Sequence, residues 1–68
     1  MDDPARAADF RARAQRIREQ GRRLAARAAV MPEGVMRDML EGQAAILAKG
    51  ADDLEARAFA LTPPLGTA

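Results

Sequence analysis

The chain has 68 residues, room for one small domain. Seventeen of its hydrophobic residues are alanine and sixteen are larger; Cys, His, Ser, Asn, Tyr and Trp are absent, which excludes disulfides, thiolate metal sites and catalytic groups built on His, Cys or Ser. Eleven basic and ten acidic residues nearly cancel, yet residues 1–31 carry a net charge of +4 and residues 32–68 a net charge of −3, so the two halves are electrostatically complementary.

At the start, Met1-Asp2-Asp3-Pro4 leads into no apolar segment, so no secretory signal is read. Asp2, Asp3, Asp9 and Glu19 are unlike an acid-poor transit peptide, and no apolar run reaches the ~18–20 residues of a membrane span. A soluble cytoplasmic protein that does not engage membranes is expected.

Asp3 before Pro4 reads as a helix N-cap followed by proline at the first helical position. From Pro4 to about residue 30 there is no internal proline, and Ala, Arg, Gln, Glu and Leu dominate, all good helix formers. Gly21 is the weak point. Val30-Met31-Pro32-Glu33-Gly34 breaks the pattern, because the residue before a proline avoids helical geometry. Pro32 suits the first turn of a second helix, predicted over about 32–61. Thr62-Pro63-Pro64 stops it, and residues 62–68 are expected to be a flexible tail. So short a connection makes the helices antiparallel neighbours.

The spacing of apolar residues is the strongest signal. Phe10, Ile17, Leu24 and Met31 recur every seven residues, with Ala7, Ala14, Gly21 and Ala28 between them. Leu40, Leu47, Leu54 and Leu61 repeat the scheme with Ala44, Ala51 and Ala58; only Arg37 departs. This is a heptad with small residues at a and large ones at d, which lets two helix axes approach closely. Off that seam lie Val35, Met39, Gly42 and Ile46, with Met36 beside them and Val30 near. An apolar stripe outside a two-helix seam needs a further partner. Self-association into a four-helix bundle is the economical solution, and a homodimer its commonest form. Docking on another protein would satisfy the stripe equally well.

The first helix also carries Arg6, Arg13, Arg16, Arg23 and Arg27 on one face, interrupted by Asp9 and Gln20, over ~30 Å. A solvated or ion-paired face is the plainer reading, with Asp9–Arg13 and Glu19–Arg23 as i,i+4 pairs and Glu41 and Glu55 available to answer arginines across the seam. Phosphate contact with RNA or DNA, or an acidic protein partner, is the sharper one.

The Ala-at-a, Leu-at-d hairpin resembles the Rop family of plasmid copy-control proteins, dimeric four-helix bundles that bind paired RNA loops through their first helices. The segments Arg16-Ile17-Arg18-Glu19-Gln20-Gly21-Arg22-Arg23-Leu24-Ala25 and Arg37-Asp38-Met39-Leu40, with the Leu-Glu-Ala-Arg-Ala ending, are similar to short, mostly uncharacterised two-helix proteins of alphaproteobacteria. Both resemblances imply the hairpin fold and neither transfers a functional residue.

Catalysis is not expected, since the hydroxyls are confined to Thr62 and Thr67 and general acid–base work would fall to Asp, Glu or Lys49. Asp52, Asp53 and Glu55 form the acidic cluster, read as solvated surface with a hard cation as the alternative. No cofactor is expected. The residues imply an all-α helical hairpin acting as a non-enzymatic interaction or regulatory module. Its interface would be Val35, Met36, Met39 and Ile46. The alternatives are a nucleic-acid-binding bundle using the arginine stripe and a small structural subunit of a larger complex.

Overall fold

A computed structural model describes residues 3–61. Helix α1 runs Pro4–Ala29 and helix α2 runs Val35–Leu61, packed against each other as a hairpin; among the described residues there is no strand. The tail expected over 62–68 lies outside the described residues.

Helix α1 starts as its sequence dictates. The Asp3 carboxylate accepts a hydrogen bond from the Arg6 backbone N–H at 3.1 Å, and the Asp3 carbonyl accepts the first helical bond from Ala7 at 3.0 Å. Pro4 needs no partner there because it has no N–H to satisfy. The Asp3 N–H donates to the Leu61 carbonyl at 3.2 Å, tying the open end of the hairpin together.

The second helix begins three residues later than predicted. Pro32 and Glu33 stay in the connection, and Gly34 takes the capping position, its carbonyl accepting from the Asp38 N–H at 3.0 Å. Its φ of 154° is a conformation that residues with a Cβ rarely adopt. The helix therefore starts where glycine permits the chain to turn, and not where proline would have tolerated a helix.

Asp3 opposite Leu61 and Gly21 opposite Ala44 set an antiparallel register in which paired residue numbers add to 64 or 65. Ala7 thus stands level with Ala58, Ala14 with Ala51, and Ala28 with Arg37. The small a residues meet in the middle: Ala7, Ala14, Gly21, Ala28, Ala51 and Ala58 are all buried. Among the described residues nothing larger than alanine is fully buried. Phe10, Ile17, Leu24, Met31, Leu40, Leu47, Leu54 and Leu61 are only partly covered. The large d residues of the heptad therefore do not form the centre of the contact. Alanine lets the backbones close together, and the d side chains are then squeezed to one side of the contact.

Candidate interaction faces

Because the a residues take the centre of the contact, the hairpin has two unlike broad faces. In each heptad the g position lies beside d, and the e position lies beside a. One face therefore carries the d and g residues of both helices, the other their a and e residues.

On the a–e face, Arg18 of α1 crosses to α2 and donates to Asp52 at 2.5 Å and to Glu55. Helical side chains lean toward the N-terminus of their own helix. For Arg18 that direction runs toward the C-terminal half of the antiparallel α2. Asp52 and Glu55 lean back toward it, so residues offset in the register still meet. Its hydrogen bonds to Glu55 and Asp52 raise the Arg18 pKa above its already high ordinary value, so the cation is permanent. This clamp was not foreseen; Arg18 lies off the predicted arginine face. Antiparallel register and side-chain lean together are the signal that would have found it. Glu55 thus answers an arginine across the seam, as expected. Glu41 instead pairs within its own helix with Arg37 at 3.0 Å. That leaves the Arg37 stem over the Ala28 end of the seam and its head in solvent. Beside the clamp the face is a shallow groove floored by Gly21, Ala25, Ala44 and Ala48. Asp52 and Glu55, considered for a hard cation, share Arg18, and among the described residues no acidic group forms a metal-binding set.

On the d–g face three of the predicted interface residues, Met36, Met39 and Ile46, border the uncovered seam, whereas Val35 holds the f position, turned away from it. Val35 is 75 % exposed, Met36 63 %, Met39 54 % and Ile46 72 %. Met36 holds a g position next to Leu40; Met39 and Ile46 hold the adjoining c positions. Along the same line toward the C-terminus the residues become Lys49, Asp53 and Arg57. The apolar patch is thus confined to the half of α2 nearest the turn. Val30, also exposed at 84 %, lies at the turn itself. Phe59, 61 % exposed, belongs to the opposite flank at the open end and had not been singled out as a surface residue.

The arginine stripe is divided by the fold. Arg6, Arg13 and Arg27 take g positions and border the d residues of α1, whereas Arg16 and Arg23 stand further round at c. All five are exposed, and none makes an ion pair among the described residues. The expected Asp9–Arg13 and Glu19–Arg23 pairs do not form. Arg6 lies over the Phe10 ring, 5.9 Å from its centroid, so one guanidinium covers a partly exposed aromatic.

No helix among the described residues is long and apolar enough to cross a membrane. No known protein family, no curated protein and no solved structure matches the chain.

Proposed function

We propose that this chain is a non-enzymatic interaction module whose working form is a self-associated helical bundle, assembled through the d–g face. One observation carries the reading. Among the described residues no side chain larger than alanine is fully buried, while eight seam residues remain partly open and Met36, Met39 and Ile46 stand exposed beside them. A domain under about 70 residues gains only ~3–5 kcal/mol from a complete core. A core of alanine contacts is thinner still, and a second layer over the d residues supplies the missing burial. A regulatory role then follows from the surfaces that the assembled bundle displays to another protein. Light scattering after size-exclusion chromatography tests it: the wild type elutes at a multiple of 7.3 kDa. Met39→Glu and Ile46→Glu each shift it toward monomer. A wild-type monomer at every concentration, or unchanged mass in both variants, removes the reading.

A second reading has its own observation, the five exposed arginines that form no ion pair among the described residues. As a line of free cations over ~30 Å it suits the phosphates of RNA or DNA. Arg16 and Arg23 hold the same c positions on α1 that Met39 and Ile46 hold on α2, bordering the d–g face, so the readout that separates the two readings is nucleic-acid binding itself. Arg16→Glu with Arg23→Glu should weaken binding to a duplex RNA or DNA probe. Wild-type binding must also fall steeply with salt; no binding at low salt removes this reading.

A further inference from the structure

The two broad faces of the hairpin differ in charge as much as in side-chain size. Along the a, e and b positions four arginines are matched by four acids, and three of those acids are already held by Arg18 and Arg37. The g and c positions that border the d residues are unlike this. They carry six arginines, Arg6, Arg13, Arg16, Arg23, Arg27 and Arg57, against two acids, Asp9 and Asp53, a net charge of +4. At the f positions, Glu19 and Lys49 cancel. The positive charge of the molecule is therefore concentrated around the face that its large apolar residues leave open.

These six arginines stand in pairs. Arg13 and Arg16 are three residues apart and Arg23 and Arg27 four apart, spacings that set Cβ atoms ~5–6 Å from each other on a helix surface. Like charges at such spacing destabilise a helix unless an opposite charge joins them. Arg6 and Arg57 come from different helices and line one shallow cup at the open end, with Phe10 and Leu61 in its floor. All six are exposed, and none makes an ion pair among the described residues. Each pair offers two forked guanidiniums to a single phosphate group, whose oxygens accept hydrogen bonds from both.

Covering the d–g face with a second copy brings two such rims together, and no choice of orientation avoids it. With the turns at one end, α1 of each copy overlies α2 of the other, whose g and c positions hold Asp53 as their one acid. With the turns at opposite ends, α1 overlies α1. Either way two surfaces of net charge +4 meet within a Debye length, and their repulsion opposes the apolar contact. Resting on the self-association reading, we propose that the d–g contact is closed by a chain of phosphates, an inorganic oligophosphate that bridges the arginine pairs of the two copies. A single phosphate neutralises one pair. A chain sets several negative charges within the ~8–10 Å that separates packed helices. Two rims hold it more tightly than one, so the anion drives assembly and assembly tightens the anion, by the same factor.

Light scattering at low salt measures the dissociation constant of the wild-type assembly alone, with sodium tripolyphosphate, and with sodium chloride at equal ionic strength. Tripolyphosphate lowers it by about tenfold or more. Chloride, which screens without bridging, has a smaller effect. Arg13→Gln with Arg16→Gln removes one pair and two repelling charges, so the assembly without anion tightens and its response to tripolyphosphate shrinks. Arg22→Gln, on the a–e side, keeps the wild-type response. An assembly that ignores tripolyphosphate, or answers chloride equally, overturns the proposal and leaves self-association standing. Tripolyphosphate bound in calorimetry to a protein of unchanged mass overturns it as well. Assembly driven by a duplex DNA probe but not by tripolyphosphate overturns the small anion and gives the phosphates to nucleic acid. A chain that stays monomeric under every condition removes the self-association reading too.

Discussion

Gly21 is buried on the seam, and the room beside it can be read directly. It occupies an a position in mid-helix, where glycine costs roughly 1 kcal/mol relative to alanine. A Cβ added there would lie 3.5 Å from the Ala44 carbonyl oxygen and 3.5 Å from the Leu47 Cβ, ordinary van der Waals contacts. Alanine therefore fits without parting the helices. Gly21→Ala should stabilise the fold by ~0.5–1 kcal/mol by restricting the unfolded chain. At ~4–8 °C per kcal/mol for a domain of this size, a thermal melt followed by circular dichroism would resolve it. Gly21→Leu should do the reverse, since its extra carbons have nowhere to go along that contact. The arginines carry the opposite lesson. Residue type identifies Arg18 as a cation like its neighbours, but only its place beside the seam turns it into a cross-link.

At the scale of the element, both helices were legible because their signals are local. Asp3-Pro4 starts α1, and a proline-free stretch of good helix formers carries it to Ala29. The start of α2 was misplaced because two local signals compete within three residues. Pro32 is compatible with a first helical turn, yet Gly34 takes the φ of 154° that turns the chain. Gly34→Ala should cost about 1 kcal/mol or more through backbone strain, visible as a lower melting temperature, even though nothing lies within reach of the new methyl group. A neutral outcome would mean that the turn has another conformation open to it. Gly42 and Gly50, spaced like Gly34 along α2, are surrounded by open space and do not draw the helices together.

For the whole molecule the governing fact is where the burial stops. Alanine contacts hold the two helices in register, and the large side chains are left along one broad face. If that face is covered by a second copy, folding and association are one equilibrium. The melting temperature of the wild type then rises with protein concentration. Ile46→Glu should flatten that dependence as well as reduce the mass, since it adds a charge where an apolar side chain is to be covered. A melting temperature independent of concentration, together with a monomeric mass, would instead make the exposed face a surface for some other protein.

The hairpin, its antiparallel sense and its heptad seam were written into residue order, because helix propensity, proline and glycine punctuation and seven-residue spacing all act over a few neighbours. The stripe of Val35, Met36, Met39 and Ile46 was visible for the same reason. Which side of the seam stays open was not, because a heptad says that a and d both face a partner helix and does not say which of them occupies the centre. The axial register and the close approach of the two backbones decided that. They buried the alanines, pushed the leucines onto one face beside the apolar patch, and brought Arg18 to Asp52 and Glu55 across thirty-four and thirty-seven residues of chain.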